Sequence, residues 1–377
     1  MRDNLDLHEA GADERAEAFR NVHDVWPVDP DPEEHLRRRL ANPKYANATW
    51  YVGTLDGRVV AACGCYHVSV CIDGVVEPAC AVGAVHTLPE FRGRGFAPRV
   101  LAFAESHERE AGKTFSLLYS DISPAYYERL GYRRCAAAQG SVSPAESKAE
   151  RPVMCELRQF RPAERLSALI DLYDRVHELF PLSIARSSDY WRYLLAQNPE
   201  DEFYFLIQGK PLGYVRLGIR PHGIVIRDAS LLDNDDERDL YSAVIALAKE
   251  RGAERVGGWT PADAVCRELF HVTDRVKELT MIKPLVDRIK IDERHCRAAE
   301  HFHEIDHVRG RAGCACRQIR QPTAGTACST AFLTCLACLS QALYNPDPFL
   351  ARTVWSGQGW SVRVSRFSST SFWQSDH

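Results

Sequence analysis

Val85-His86-Thr87-Leu88-Pro89-Glu90-Phe91-Arg92-Gly93-Arg94-Gly95-Phe96-Ala97-Pro98 is the stretch on which the fold turns. A strand ends, a glycine-rich turn follows and a helix begins. That geometry leaves several backbone N–H groups unpaired and pointing one way, with a helix dipole behind them. It makes an anion cradle. Gly93 and Gly95 remove side chains that would block a pyrophosphate, and Arg92 and Arg94 add positive charge. A dinucleotide fingerprint needs G-x-G-x-x-G in a parallel βαβ unit, whereas the spacing here is G-x-G only and antiparallel hairpins precede it. The Gly-Lys-Ser/Thr of a Walker loop is absent from this turn.

Working outward, apolar residues recur at helical spacing from Asp13 to Val25, and Pro27 ends that helix. Pro32 to Leu40 predicts a second helix with Asp31 as N-cap. The period then changes to two. Thr49 to Thr54 and Val59 to Val70 read as a hairpin around Asp56-Gly57. Asp73-Gly74 is another turn, and Pro78 to Thr87 the strand that leads into the loop. Phe96 to Ala111 is a helix closed by Gly112, Phe115 to Tyr119 a strand, and Pro124 to Leu130 a short helix stopped by Gly131.

At these residues the sequence resembles the GNAT superfamily of acyl-CoA-dependent N-acyltransferases. Their R/Q-x-x-G-x-G/A signature is matched by Arg92, Gly95 and Ala97. The resemblance implies that Gly93 to Pro98 (Gly93, Arg94, Gly95, Phe96, Ala97, Pro98) offer amides to the coenzyme A pyrophosphate. It also implies that the Val85, His86 and Thr87 backbone pairs with the pantetheine arm. Pro98 is tolerated in the first helical turn because its missing N–H has no helical partner there. Downstream, Tyr127 to Tyr132 matches the family's Y-x-x-x-G-F/Y, which makes Tyr127 the acid that protonates the departing thiolate and Tyr126 a packing neighbour. A positioned acid lowers such a barrier by about 10²–10⁴-fold. The acceptor ammonium must also lose a proton. His86 and Asp121 are candidate bases, and a water chain could serve. Asp121 could equally cap the short helix or, with Ser120, touch the coenzyme.

A weaker echo begins near Phe160: helices at Glu164–Leu179 and Ser188–Gln197, a hairpin at Glu202–Gln208 and Pro211–Ile219, and a strand at Ile224–Leu231. A helix at Glu237–Arg251, a strand at Arg255–Trp259, a short helix at Val265–Phe270 and a strand at Glu278–Leu285 complete it. This repeats the order of the first half, so the sequence reads as an internal duplication. Where the first half has its glycine loop, the second has Leu232-Asp233-Asn234-Asp235-Asp236-Glu237, whose carboxylates would repel a pyrophosphate. The expected fold class is α+β: tandem GNAT-like mixed sheets with flanking helices, plus an irregular C-terminal tail. The expected domains are 1–150 (catalytic, binding acetyl-CoA), 151–290 (degenerate, walling the acceptor pocket) and 291–377 (weakly patterned and Cys-rich). This arrangement is similar to the enhanced-intracellular-survival acetyltransferases. In those enzymes the terminal carboxylate acts as base; the sequence here ends at His377 after an anomalous tail, and that role is not carried over.

Composition sets the outer limits. With 377 residues, 45% hydrophobic and 26% charged, the chain reads as globular, with room for about two or three domains. A net charge of −4 gives no reason to expect nucleic acid or an anionic membrane as partner. The N-terminus lacks an apolar signal region, and Ala331–Leu343 is too short to span a bilayer, so a cytoplasmic location is the default expectation. Thirteen cysteines include five between Cys314 and Cys338; the others suit small buried apolar residues in a reducing compartment. His303-Glu304-Ile305-Asp306-His307 spells HExxH, but Gly313 stands where a third zinc ligand would be. Cys314/Cys316 and Cys335/Cys338 have irregular spacing and read as free thiols. No metal is expected.

The stretch from Asp306 to Asp347 holds no other acidic residue, and its pattern fails, which predicts loose order. It also raises the reading that part of 309–371 interrupts an authentic ending, a question that the intact mass of the native protein decides. The acidic linker Asp24–Glu34 reads as a solvated loop, with a cationic acceptor as the sharper alternative. The functional expectation is an N-acetyltransferase moving an acetyl group from acetyl-CoA to a primary amine, on a small molecule or peptide, by direct attack. The competing class is a non-catalytic acyl-CoA-binding or regulatory module. Homo-oligomerisation is compatible with either.

Overall fold

The computed structural model describes residues 4–302, 349–356 and 359–366. Residues Met1–Cys314 fall in one compact unit. It begins with β1 (Asp6–Glu9), α1 (Ala12–Asn21), α2 (Pro32–Ala41) and a single-turn α3 (Pro43–Ala46). Asp31 caps α2 as its position predicts, its side chain accepting from Glu33 N–H. Then come β2 (Ala48–Leu55), β3 (Arg58–Ile72) and β4 (Val75–Thr87). The two turns between these strands carry positive φ at both central residues, 49° and 79° at Asp56-Gly57 and 50° and 79° at Asp73-Gly74. That is the geometry that lets a two-residue turn follow the strand twist. Next are α4 (Phe96–Glu110), β5 (Phe115–Ser120), α5 (Pro124–Glu128), β6 (Arg133–Arg134) and β7 (Ala138–Val142).

The second half runs β8 (Glu156–Phe160), α6 (Leu166–His177), β9 (Leu182–Ala185), α7 (Ser188–Gln197), β10 (Glu202–Gln208), β11 (Lys210–Arg220) and β12 (Gly223–Leu231). It continues with α8 (Glu237–Glu250), β13 (Arg255–Gly258), α9 (Ala264–Leu269), β14 (His271–Asp274), β15 (Leu279–Pro284) and α10 (Glu293–Ala298). The duplication is plain in the sheets. One is ordered β1-β2-β3-β4-β5-β15-β6, and the other β8-β10-β11-β12-β13-β7-β14.

The last strand of each half lies in the other half's sheet. β15 runs antiparallel between β5 and β6, with Met281 opposite Leu118 and Arg134. β7 runs antiparallel between β13 and β14, with Gly140 opposite Gly258 and Val272. The linear pattern places Glu278–Leu285 at the end of the second unit; the structure places it inside the first sheet. β9, unmarked in the sequence pattern, also pairs with the far end of β3.

Each sheet is covered on both faces. In the first, α4 packs on Tyr51, Cys63, Cys65 and Val82. The opposite face holds Phe19 of α1 edge-on to Trp50 at 4.7 Å, with Tyr45, Tyr66, Phe115 and Phe302 in the same cluster. In the second, Leu240 and Val244 of α8 meet Leu206 and Val215, while Leu169 and Trp191 of α6 and α7 meet Phe203 and Tyr214. That second core also buries charge. Asp228 receives two hydrogen bonds from Arg186, at 2.7 and 3.1 Å, and Asp201 sits between Arg216 and Arg227 at 2.8 and 3.2 Å.

Among the described residues the cysteines are buried free thiols, and no helix is long and apolar enough to cross a membrane. A second unit, Ala315–His377, contributes the hairpin β16 (Phe349–Ser356) and β17 (Gly359–Arg366). The HExxH string, the Cys314–Cys338 cysteines and most of 309–371 lie outside the described residues.

Candidate active site

The site is built where β4 parts from β5. The two run parallel and pair from Ala79↔Phe115 to Val82↔Leu118, and there the pairing stops. From Gly83 to Thr87, β4 remains paired only with β3 among the described strands, so its β5-facing edge has no strand partner there, although the Thr87 carbonyl is taken by Arg92. A bulge marks the parting. Ala62 faces His86 and Gly64 faces Gly83, so two residues, Ala84 and Val85, stand against Cys63. Ala84 has φ 51°, a left-handed conformation rare for a residue with a Cβ. The sequence reading missed this bulge. Its signal was available: Gly83 in the interior of a strand, between Val82 and Ala84.

Beyond Thr87 the chain makes one 3₁₀ turn, Pro89–Phe91, and reaches the loop. Gly93 and Gly95 have φ 79° and 74°, and a Cβ built on either meets nothing within 4 Å. The loop is therefore conformationally restricted to glycine while the space in front of it is open. Gly95 is the N-cap of α4, so the amides of Gly95, Phe96 and Ala97 have no helical acceptor, and Pro98 has no N–H to strand. No acidic residue occupies the first turn of α4. Arg92 Nε donates to the Thr87 carbonyl at 3.1 Å, and the Arg94 guanidinium lies 5.3 Å from the centre of the Phe91 ring. Both arginines are exposed.

Residues directly opposite one another across strands share a face. Thr87 faces Ala61, which packs on the α4 side; His86 faces Ala62, which packs with Ala18 and Val52 on the α1 side. Val85 packs with Thr87's side, as alternation requires. Tyr127, from α5, is also on the α4 side, buried with its ring 5.0 Å from Tyr126 and 5.9 Å from Tyr132. Burial first, then Tyr126 and Cys63, push its phenol well above the ordinary range, so it is a held proton at neutral pH. The structure thus gathers Tyr127, Val85 and Thr87 on one face and puts His86 on the other.

His86 is 7% exposed, and burial, with the Arg92 charge, holds it below the usual imidazole range. Its ring is therefore neutral at pH 7. At the end of β5, Ser120 Oγ is turned inward, donating to the Ile122 carbonyl at 2.9 Å. Asp121 is half-buried in the turn that leads to α5.

The second half repeats the architecture without the cradle. β12 pairs with β13 only from Gly223 to Ile226 and then diverges, leaving a crevice lined by Ser230, Asn234, Glu237, Tyr241 and Trp259. Glu300 and His301 close it. The residues before α8 are Asp233–Asp236, and α8 opens on Glu237 and Asp239. Burial and the neighbouring Asp263 raise Glu237 to about 7. A carboxylate-lined mouth of this kind disfavours pyrophosphate. Glu237, Asp263 and Cys266 have ligand atoms within 4.8 Å of one another, but Asp263 Oδ1 is already used as the cap of α9, accepting from Cys266 N–H at 2.7 Å.

Three of the five acids in the 24–34 linker are held locally, while Asp24 and Glu33 stay exposed. Asp31 caps α2, Glu34 holds Arg37 and Arg38, and Asp29 meets Arg38 at 3.2 Å. These pairings fit the solvated-loop reading.

Residues 6–135 match a family described as an acetyltransferase (GNAT) domain. No curated protein sequence matches the chain significantly. Among solved structures, a probable N-acyltransferase from Enterococcus faecalis V583 aligns at 18% identity over 75% of this chain and 72% of its own, with a TM-score of 0.60. A GCN5-related N-acetyltransferase from Anabaena variabilis aligns at 17% identity over 75% and 73%, also at 0.60. Eis1 from Mycobacterium abscessus aligns at 17% identity over 74% and 73%, at 0.53. At these identities the likeness is one of fold.

Proposed function

From the premise of a GNAT acetyltransferase domain at residues 6–135, in a fold shared with solved N-acetyltransferases, we propose that the chain moves an acetyl group from acetyl-CoA to a primary amine by direct attack. The observation that carries this is the open edge of β4 leading straight into a glycine cradle at an acid-free helix N-terminus. The cradle suits a pyrophosphate by charge and by space, and the unpaired β4 edge suits the amides of a pantetheine arm.

Each step has a residue placed for it. The Gly93–Ala97 amides hold the anionic end, with Arg92 and Arg94 adding charge. The backbone of Val85 and Thr87 aligns the donor so that its thioester lies beside the bulge. The amine attacks the carbonyl carbon, the C–N bond forms and the C–S bond breaks. Tyr127 gives its proton to the departing sulfur. Its high pKa keeps the phenol protonated across the working range. The proton lost by the amine goes to His86, Asp121 or water. His86, being neutral, has the capacity to take it. The second half, with its carboxylate-lined crevice, supports the first and walls the acceptor side.

The test is release of free thiol from acetyl-CoA across a panel of amines that includes peptides. Consumption of coenzyme with one of them supports transfer. Binding of acetyl-CoA without turnover on any amine favours the non-catalytic module.

A further inference from the structure

Lys44 is the most isolated charge among the described residues. It lies on α3, where Asn42 ends α2 and turns the chain, its Oδ1 accepting from the Lys44 N–H at 3.0 Å. The side chain runs inward. Lys44 is 9% exposed and its Nζ is buried with no hydrogen-bond partner. Its neighbours are ring faces, Tyr66 at 5.5 Å and Tyr45 at 5.7 Å. Burial first, then the repulsive charge of Arg39, push its amine well below the usual lysine range.

Arg39 is no better served. It is 3% exposed and lies over the other aromatic neighbours, 5.1 Å from Tyr45 and 5.9 Å from Phe19. One NH2 donates to the Trp26 carbonyl at 2.8 Å. Its Nε lies 3.0 Å from His35 Nε2. But Val28 N–H donates to His35 Nδ1, which puts the neutral ring's proton on Nε2, aimed at the Phe19 carbonyl 3.0 Å away. That nitrogen has no lone pair left for Arg39. Two buried basic groups therefore share one aromatic pocket with no carboxylate hydrogen-bonded to either among the described residues, and the Lys44 amine regains its charge most readily when an anion comes beside it.

A buried charge without a counter-ion is strongly unfavourable, and cation–π contacts offset only part of that. A site with only a packing role would be better filled by leucine or methionine. The location gives the pair a use. Tyr66 faces Ala81 on β4, two residues before the strand opens, and Ala84 and Tyr119 at the opening pack on the same cluster as Tyr45 and Tyr66. This is the α1–α3 face, opposite the coenzyme loop and on the side to which His86 points.

We propose that Lys44 and Arg39 are the seat for an anionic group, a carboxylate or a phosphate, carried by the amine acceptor. The inference rests on the transferase reading for the word acceptor, but the seat itself does not. It names the substrate class as amines with an acidic end.

Two measurements test it. Thiol release is compared for amine pairs that differ in the anion alone: phosphoethanolamine against ethanolamine, and 4-aminobutyrate against butylamine. The charged member is expected to win by at least about tenfold in kcat/KM, with the favoured pair telling phosphate from carboxylate. Lys44→Met should erase that ratio and Lys44→Arg keep most of it. Independently of turnover, inorganic phosphate against chloride at matched ionic strength should raise the Tm of the parent and not of Lys44→Met. Without added anion, Lys44→Met should melt above the parent, because it removes a buried amine that has no hydrogen-bond partner.

Amines consumed with no charge preference overturn the seat and leave the transferase reading intact. No amine consumed overturns that reading, and the phosphate-dependent Tm then decides the seat alone. Equal stabilisation of parent and Lys44→Met overturns it, as does a Lys44→Met or Lys44→Gln protein less stable than the parent.

Discussion

Tyr127 and His86 lie on opposite faces of the sheet at the open edge of β4, which under the proposed mechanism would separate proton donation from proton removal. Replacing Tyr127 by Phe keeps the ring packing with Tyr126 and Tyr132 and deletes the proton. Turnover should fall by about 10²–10⁴-fold, while the dissociation constant for acetyl-CoA, measured by calorimetry, stays near that of the parent. The two buried histidines make a different prediction. Burial holds His86 and His35 below the ordinary 6.5. As pH falls through that value the unfolded chain takes up protons that the folded chain refuses, so stability falls with it. Urea unfolding at pH 7.5 and pH 5.5 should show the loss, and His86→Gln should shrink it. If His86 is also the base, the acid limb of kcat/KM lies below pH 6.5 and disappears in the same variant. Tyr127 stood out in the sequence because Tyr127 to Tyr132 resembles the GNAT Y-x-x-x-G-F/Y pattern. The isolation of Lys44 was not legible, because a charge looks solvated until the rings around it are in place.

On the proposed function, the element that decides binding is the start of α4. Gly95 is held at φ 74°, where a Cβ is strained even though the space is open. Gly95→Ala should cost about 1–2 kcal/mol of stability and weaken acetyl-CoA binding by roughly tenfold as the loop relaxes, one decade being about 1.4 kcal/mol. The corresponding element of the second half, α8, begins among Asp233–Glu237 and should bind no coenzyme; a binding stoichiometry of one per chain checks this. Most helices and hairpins follow from periodicity, caps and turn pairs such as Asp56-Gly57. Among the elements that escaped are β1, β6, β7, β8, β9 and β14, short strands whose pattern is fixed by the neighbour they pair with, together with the short helices α3 and α10 and the hairpin β16–β17. The charges inside the second sheet are equally a property of the assembled element. Asp228→Asn leaves Arg186 buried with one partner weakened, and should lower stability by about 3–5 kcal/mol, read by chemical denaturation.

At the scale of the whole molecule, the exchange of β7 and β15 makes the two halves interdependent. A fragment of residues 1–150 lacks the strand between β5 and β6, and it exposes β7 without β13 and β14. It should fail to give a cooperative unfolding transition, whereas residues 1–302 should give one; thermal melts of the two fragments decide. The sequence by itself determined the duplication, the glycine cradle and its loss in the second half, because these depend on local backbone needs: a positive φ, a helix start, a run of carboxylates. It could not determine which sheet a four-to-six-residue apolar strand joins. Met281 and Ile282 are buried equally well against either half as far as their own pattern goes, and only the assembled edges of β5 and β6 select them. The same limit applies to the site. The bulge at Ala84, the opposite faces of His86 and Tyr127 and the unpaired Lys44 depend on what lies across a strand or a helix. Those neighbours are far apart in the chain and are brought together only by the tertiary fold.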